Sequence, residues 1–259
     1  MKNTSLRGGT TKQSPAITER PILFQTEMVK AILEGRKKQT RREIKNIEIK
    51  EGHVNGTVNF ECKKKGFYEA GINVSTKKLN LPFVGIIDLC KYGKPGDLLW
   101  VRETWAPALG DYAFKADYSE STLSEPRNKG LWKPSIHMPK SASRIWLMIE
   151  DIRVERVQEI SEKDARAEGL SDPKIPSPSN FKLEINKGKT WATGDHFFVW
   201  KSLWISINGK ESWNAKPWVW VIQFRVLSTT GKPSDEVIQQ NLSDLSASAV
   251  NQEKEVTNG

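Results

Sequence analysis

Residues 34–42 read Glu-Gly-Arg-Lys-Lys-Gln-Thr-Arg-Arg, and they mark the passage from a predicted helix into a predicted strand. The helix is indicated by apolar residues at helical spacing after a cap at Thr26, namely Met28, Val29, Ile32 and Leu33. Gly35 stands where the C-terminus of a helix favours glycine. The strand is expected over residues 39–44, which places Thr40 and Arg42 on one face and Arg41 on the other.

Residues 160–169 read Ile-Ser-Glu-Lys-Asp-Ala-Arg-Ala-Glu-Gly and predict a short helix. Ser161 is its expected N-cap, with Asp164 at the capping-box position. The helix is expected to run to Glu168 and to end at Gly169. Together with residues 34–42, this segment supplies a lysine, a threonine hydroxyl and a carboxylate set among arginines. Such a set can hydrolyse an amide on a nucleobase, or it can hold a phosphate backbone.

The remaining pattern favours a sheet with few short helices. Strands are predicted at residues 21–24, 98–103, 113–117, 143–155 and 218–224, and an Asn-Gly turn at residues 55–56 predicts a hairpin. A further helix is expected from a cap at Asp195 through Trp204. This arrangement is typical of an α+β fold or of a partly open barrel.

The composition divides the chain into a folded body and two tails. Residues 1–19 are polar, and residues 229–259 contain no aromatic residue and are rich in Ser, Asn, Gln and Glu. Such segments bury too little apolar surface to become ordered, so both are predicted to be disordered. Residues 20–228 are then one folded domain, with insertions expected at about 46–81, 120–142 and 171–194.

The charge of the chain favours a polyanionic partner. The formal net charge is +9, and residues 231–259 carry five acidic against two basic side chains, so the body is more basic than the total. Nucleic acid is the first such partner to consider, and the alternative is a merely soluble basic surface. No apolar run approaches the roughly 20 residues that span a bilayer, and residues 1–18 lack a signal-peptide core. A cytoplasmic protein without a membrane partner is expected.

These segments, in this order, resemble the ASCH domain of the PUA-like superfamily. The resemblance is carried by Gly35-Arg36-Lys37-x-x-Thr40-x-Arg42, by Pro-Gly-Asp-Leu-Leu-Trp-Val at residues 95–101, by Ser161-Glu162-x-x-Ala165-x-x-Glu168 and by an aromatic-rich strand ending in Gln223-Phe224. It spans roughly residues 21–46 and 82–228. Residues 132–139 and 206–210 resemble the longer ASCH proteins of phages and prophages.

The resemblance implies a small β-barrel with flanking helices and a cleft that accepts RNA, a nucleoside or a modified base. Small bacterial members of the family include N4-acetylcytidine amidohydrolases, whose lysine, threonine and glutamate match Lys37, Thr40 and Glu168 here. The residue after that lysine is commonly threonine in those enzymes, whereas here it is Lys38. Those enzymes are also shorter, and residues 120–142 have no counterpart in them.

The three matched residues suit amide hydrolysis as a nucleophile, a base and a proton carrier. Thr40 supplies the hydroxyl, and Lys37 can take its proton only if burial or cationic neighbours lower the pKa of the lysine. Glu168 either protonates the leaving nitrogen or positions the lysine. Without catalysis, the same residues are a strand threonine, a solvated turn lysine and a helix-surface carboxylate. Four nearby cations either hold phosphates or form a solvated face: Arg36, Lys38, Arg41 and Arg42.

A second candidate region is the proline-stiffened loop of residues 132–144. Trp132 can stack on a base, and Ser135 and His137 can hydrogen bond to a substrate, although a lone histidine is more often structural. Arg144 can contact a phosphate or pair with a local carboxylate.

Arg102 and Glu103 follow a predicted strand and form a third candidate. Glu103 can accept a hydrogen bond from a cytosine-like amino group. The favoured alternative is an Arg–Glu ion pair at the end of the strand.

Three functions remain open from the sequence. The first is an ASCH protein that removes an acyl group from N4 of a cytidine-type substrate, with no cofactor and no metal. The second is a non-catalytic nucleic-acid-binding module, with RNA favoured over DNA. The third is a nuclease, which ranks lower because the sequence shows no acidic metal cluster. A monomer is favoured for all three.

Overall fold

The computed structural model describes residues 17–45, 47–54, 57–62, 66–68, 90–124, 130–170 and 196–257. In chain order, the strands are β1 (Glu19–Leu23), β2 (Gln39–Glu43), β3 (Ile47–Val54), β4 (Thr57–Cys62), β5 (Gly66–Tyr68), β6 (Leu98–Arg102), β7 (Trp105–Ala108), β8 (Asp111–Phe114), β9 (Trp146–Arg156) and β10 (Trp218–Ser228). The helices are α1 (Thr26–Leu33), α2 (Glu120–Ser124), α3 (Glu162–Ala167), α4 (His196–Asn208), α5 (Lys210–Asn214) and α6 (Asp235–Thr257). The expected α+β class is therefore confirmed. The predictions for residues 1–16 and 171–194 lie outside the described residues, as does the cap predicted at Asp195.

Five strands form the main sheet, in the order β1-β6-β9-β10-β2. β1 and β6 run parallel, and the other neighbours run antiparallel. Within the described residues the sheet stays open, with β1 and β2 at its edges, so the small closed barrel implied by the resemblance is not seen there. Two smaller sheets accompany it, β3-β4-β5 and β7-β8. In the first of these, Val54 pairs with Thr57, and the Asn-Gly turn predicted at residues 55–56 lies outside the described residues.

The turns around the predicted site follow from local sequence. α1 begins at Thr26, and its N-cap is Gln25, which makes no side-chain cap hydrogen bond, so the predicted Thr26 cap is wrong by one position. Ser161 Oγ accepts a hydrogen bond from the Asp164 amide at 3.1 Å, which confirms the N-cap of α3. The strand predicted at residues 113–117 ends at Phe114, because a 3-10 turn occupies Lys115–Asp117.

The main sheet buries a hydrophobic cluster on each face. Val29 and Ile32 of α1 pack on the first face, and Trp200 and Trp204 of α4 pack on the second. β10 contributes to both, because successive side chains of a strand point to opposite faces. Its even-numbered Trp220, Ile222 and Phe224 lie in the first cluster, and its odd-numbered Val219 and Val221 lie in the second.

The register of β10 with β2 fixes which way the basic strand points. Thr40 pairs with Ile222 and Arg42 with Trp220, so both lie on the side of the first cluster. Arg41 pairs with Val221 and lies on the side of the second cluster. The prediction that Thr40 and Arg42 lie on one face of the strand and Arg41 on the other is confirmed.

The expectation that residues 229–259 form a disordered tail is wrong. Residues Asp235–Thr257 form helix α6, and the side chains of Ile238, Leu242 and Leu245 fall on one helical face. These three pack against Leu98, Trp146 and Met148. The average composition of the segment does not indicate this stripe, because most residues of the helix lie on its solvated faces.

Like the other helices of the described ranges, α6 does not combine the length and the apolar character that a membrane span requires.

Candidate functional site

Lys37 and Glu168 meet although 131 positions separate them in the chain. Their backbones form an isolated antiparallel bridge, and the amide of Lys38 donates to the carbonyl of Ala167 at 2.8 Å. Lys37 Nζ donates to Oε2 of Glu168 at 2.8 Å and to the Glu168 carbonyl oxygen at 2.8 Å. The two side chains are 0% and 1% exposed, so the ion pair is closed off from water.

Gly169 allows this close approach of α3 to the segment before β2. Its φ is +87°, a conformation that glycine adopts without steric cost. A Cβ added there would lie 2.7 Å from Cβ of Lys37 and 2.8 Å from Cβ of Ala31. Neither neighbour is the end of a flexible side chain, so a larger residue at position 169 must push Lys37 away from Glu168.

We expect Gly169→Ala to destabilise the protein and to disturb the Lys37 site. The left-handed conformation costs about 1–2 kcal/mol for alanine, and overpacking adds about 1–3 kcal/mol. Gly35→Ala is the matched control, because Gly35 has φ +72° but nothing lies within 4 Å of its added Cβ. Urea unfolding of both variants measures the difference. Equal losses in the two variants would show that the contact with Lys37 has no consequence.

The surroundings of Lys37 lower the pKa of its side chain. Burial lowers the pKa of the Lys37 ammonium, the Glu168 carboxylate opposes this effect, and the positive charges of Arg42 and Arg41 reinforce it. The ring of Phe24 covers another side of the amine, with its centroid 5.6 Å from Nζ. Lys37 thus meets the condition that the sequence analysis set for a base.

Arg41 is the centre of a buried ion-pair network. Its NH1 donates to Oε1 of Glu168 at 3.2 Å, and its NH2 lies 2.8 Å from Oε2 of Glu155 and 3.4 Å from Oδ2 of Asp164. Arg153 closes the network, with contacts of 2.6 Å to Glu155 and 2.9 Å to Asp164. Burial by itself raises the pKa of Asp164, but Arg153 and Arg41 outweigh burial and lower it.

This network engages the guanidinium of Arg41, for which a phosphate-binding role and a solvated face were the two alternatives. The side chain of Arg41 is 0% exposed, and both terminal nitrogens face carboxylates. Glu168 is consequently held from two sides, by Lys37 at Oε2 and by Arg41 at Oε1. Arg41 fixes the orientation of that carboxylate, and it also lines a small cavity of about 60 Å³ beside Glu168.

Thr40 and Glu168 line the same small cavity, of about 60 Å³. Trp200, Trp204 and Ile207 of α4 form its apolar wall. Within the described residues, the Thr40 hydroxyl has no hydrogen-bond partner, whereas Lys37 is not among the side chains that line the cavity. The structure therefore places Thr40 and Glu168 on the surface of one cavity, and it joins Lys37 to Glu168.

A larger cavity of about 390 Å³ adjoins the small one and shares Met28, Arg42 and Ile207 with it. Phe24, Thr104 and Ser135 line its other sides. The guanidinium of Arg42 lies 5.1 Å from the Phe24 ring centroid and donates to the carbonyl of Leu23. Its Nε is buried and has no hydrogen-bond partner in the described part of the chain. Arg42 and Ser135 are thus the predicted binding residues that share a cavity next to Thr40.

Three of the predicted cations lie outside these cavities, namely Arg36, Lys38 and Arg102. Arg36 is exposed, where it donates to the Gly169 carbonyl and to Glu34 at 2.7 Å. Lys38 is also exposed. Arg102 donates to the carbonyl of Ile136 and lies 5.5 Å from the Trp100 ring centroid. These three side chains therefore remain candidates only for contacts at the protein surface.

Glu103 is not open to a substrate amino group, which corrects that expectation. It is 1% exposed and pairs with Arg144 through contacts of 2.9 and 3.1 Å. Burial raises the pKa of Glu103, although Arg144 acts in the opposite direction. Arg144 also pairs with Asp117 at 2.8 Å. Of the two roles considered for Arg144, the structure thus shows pairing with local carboxylates. The favoured Arg–Glu pair exists, but its arginine is Arg144 and not Arg102.

The aromatic and histidine residues of the 132–144 loop lie apart from the described cavities. Trp132 is half-buried and meets Tyr118 edge-on, with ring centroids 5.2 Å apart. His137 is exposed at the end of the 3-10 turn Ser135–His137. Neither residue lines the small or the large cavity.

Sequence reasoning missed the residues that support Glu168 and those that form the cavity walls. Arg153 and Glu155 lie two positions apart on β9, so their side chains point to the same face of the sheet. The sequence alone was enough to predict this pairing. Asp164 was considered only as a capping residue, whereas it also joins the Arg41 network. A helix through Trp204 was predicted, but nothing local indicated that Trp200 and Trp204 line the same cavity as Thr40. Comparisons with protein-family models, curated proteins and solved structures give no match for this chain.

Proposed function

We propose that this protein is an ASCH-type, PUA-like amidohydrolase that removes an acyl group from N4 of a cytidine-type nucleoside. The observation that carries the proposal is the buried Lys37–Glu168 pair beside a cavity lined by Thr40. A water-excluded lysine with a lowered pKa suits the role of base, and a threonine hydroxyl on the cavity that Glu168 also lines suits the role of nucleophile. The choice of substrate rests on the resemblance of residues 35–42 and 161–168 to N4-acetylcytidine amidohydrolases.

In the first step, Thr40 Oγ1 attacks the carbonyl carbon of the amide and gives its proton to neutral Lys37. The tetrahedral intermediate then collapses, and the bond between the carbonyl carbon and the exocyclic nitrogen breaks. The proton held by Lys37 passes through Glu168 to that nitrogen, because Glu168 contacts both Lys37 and the cavity. The products of this step are the free amine and an acyl ester on Thr40.

In the second step, water attacks the acyl ester and gives one proton to Lys37. The bond between the carbonyl carbon and Thr40 Oγ1 then breaks, and Lys37 returns the proton to Oγ1, which restores both the hydroxyl and the neutral lysine. The acyl group leaves as a carboxylic acid, so the complete reaction consumes one amide and one water. Arg41 keeps Glu168 in place through its contact with Oε1, which leaves Oε2 to Lys37.

The pH dependence of the reaction follows from Lys37. Only neutral Lys37 accepts a proton, so kcat/KM is expected to rise with pH as the lysine deprotonates. Because burial lowers the pKa of Lys37, the midpoint of this rise is expected below the ordinary lysine value of 10.5. The pH profile of deacylation measures it. Lys37→Arg, whose guanidinium stays protonated, is expected to be inactive across the profile. A profile without this rising limb would rule out Lys37 as the base.

The proposed activity is tested with N4-acetylcytidine and the full-length protein. Mass spectrometry follows the release of cytidine and acetate, and a panel of N4-acylated cytosine bases, nucleosides and nucleotides tests the preferred form. Steady release of both products supports the proposal. No turnover of any member of the panel contradicts it.

A non-catalytic module that binds RNA or DNA is the second candidate. It is favoured by the net charge of +9 and by the exposed Arg36 and Lys38 beside the site. Such a module would bind an oligonucleotide with an affinity that falls steeply as salt rises, because phosphate contacts release counterions. Salt-dependent binding without any deacylation would favour this candidate over the enzyme.

A further inference from the structure

The cleft is divided into a small inner cavity and a large outer cavity. Thr40 and Glu168 line only the inner cavity, of about 60 Å³. Phe24 and Ser135 line only the outer cavity, of about 390 Å³. Met28, Arg42 and Ile207 belong to both and form the boundary between them. If the carbonyl of a substrate lies at Thr40, the group on one side of the scissile amide bond lies in the small cavity and the group on the other side lies in the large cavity.

The sizes of the cavities determine which group lies on which side. An engineered apolar protein cavity of about 150 Å³ holds one benzene molecule. The inner cavity is less than half that size, so neither a pyrimidine ring nor a phenyl ring fits within it. The outer cavity lies in the size range of ordinary ligand pockets, about 300–1,000 Å³, and has room for a base with its sugar.

We propose that the inner cavity is an acyl pocket that accepts only short aliphatic acyl groups, and that the nucleoside occupies the outer cavity. This inference rests on the amidohydrolase function proposed above and specifies its substrate. The acyl pocket is lined by the indoles of Trp200 and Trp204, against which a methyl group can pack, and by the polar side chains of Arg41, Glu43 and Asn208. Acetyl and propionyl amides are then substrates, whereas a benzoyl amide is excluded by its ring.

The outer cavity has the chemistry to hold the nucleoside. Phe24 contributes an apolar part of the wall, and the guanidinium of Arg42 lies over its ring. The buried Nε of Arg42 lacks a partner in the described chain, and a carbonyl oxygen of the base can accept its hydrogen bond. The hydroxyls of Thr104 and Ser135 lie on the same cavity and suit the polar groups of a sugar.

The test compares N4-acetylcytidine, N4-propionylcytidine and N4-benzoylcytidine as substrates of the full-length protein. Wild-type protein is expected to prefer acetyl over benzoyl by at least about 100-fold in kcat/KM. Ile207→Ala enlarges the boundary between the cavities and is expected to raise the ratio of benzoyl to acetyl turnover at least about tenfold. Ile207 is 41% exposed, so this truncation leaves the buried core in place.

Two further variants separate the acyl pocket from general effects on the protein. Met28→Ala removes another part of the same boundary and is expected to shift the ratio in the same direction. Leu109→Ala truncates a fully exposed side chain outside both cavities and is expected to leave the ratio unchanged.

The outcomes of this test are distinguishable from failure of the proposed function. Turnover of acetyl and benzoyl substrates at similar rates by wild-type protein overturns the acyl pocket and leaves the amidohydrolase standing. Unchanged ratios in both Ile207→Ala and Met28→Ala also overturn it. No turnover of any acyl substrate overturns the amidohydrolase and the acyl pocket together.

Discussion

Thr40→Val is expected to reduce deacylation by at least about 10⁴-fold, since it removes the nucleophilic hydroxyl and little else. Valine keeps the β-branched shape, which suits the position of Thr40 opposite Ile222 in the sheet. Thr40 is 2% exposed, and its hydroxyl makes no hydrogen bond within the described residues, so its loss leaves no partner unsatisfied. The initial rate of cytidine release from N4-acetylcytidine measures the effect.

Thr40→Ser is the matched control for this substitution. Serine retains the hydroxyl and loses only a methyl group, so the variant is expected to keep a substantial part of the activity. Circular dichroism and urea unfolding establish that both variants fold. Comparable activity in Thr40→Val and wild-type protein would exclude an acyl ester on Thr40 and leave direct attack by water.

The largest expected effect on stability comes from Arg41→Met. Methionine has a similar length but no charge, so Glu155, Asp164 and Glu168 lose a buried cation that each of them contacts. Removing one partner from a buried ion pair costs about 3–5 kcal/mol. We therefore expect a loss of this size in the free energy of unfolding at neutral pH, measured with urea.

The loss in Arg41→Met is expected to shrink as the pH falls. Arg153 and Arg41 lower the pKa of Asp164 in the folded state, so this group contributes stability above its unfolded pKa and loses it on acidification. The variant lacks part of that contribution, and the two proteins converge in stability once the carboxylates are protonated. A deficit that stays constant between neutral and acidic pH would show that lost packing, and not charge, is responsible.

Arg153→Met is the matched control, because it removes a different arginine from the same ion-pair network. Arg153 is 21% exposed and contacts Glu155 and Asp164, both of which retain Arg41 in this variant. Its loss is expected to be clearly smaller than that of Arg41→Met. It also leaves Glu168 with both of its cations, so deacylation is expected to fall less than in Arg41→Met.

The local signals in the sequence predicted the elements around the site well. The helical spacing before Gly35, the strand alternation at Thr40 and Arg42, and the Ser161 cap all depend on neighbouring residues, and all three are confirmed. The tail prediction failed because it used average composition. A stripe of three apolar residues is enough to order α6, since the sheet offers Trp146 and Met148 as a surface for it.

The assembly of the site was less accessible to sequence reasoning. The pairing of Lys37 with Glu168 rested on a resemblance, because no spacing rule connects residues so far apart. Strand alternation correctly separated Arg41 from Thr40, yet it gave no partner for Arg41. The partners Glu155 and Asp164 come from β9 and α3, and only the tertiary fold brings these carboxylates to one guanidinium.

The enclosure of Lys37 has a consequence for the protein during its synthesis. The low pKa of this lysine results from burial, and burial requires the segment around Glu168 to be in place. In a nascent chain that ends before residue 168, Lys37 is an ordinary solvated ammonium and Thr40 an ordinary alcohol. The buried pair on which the proposed hydrolysis depends therefore forms only after the segment around Glu168 has been synthesised and has packed against Lys37.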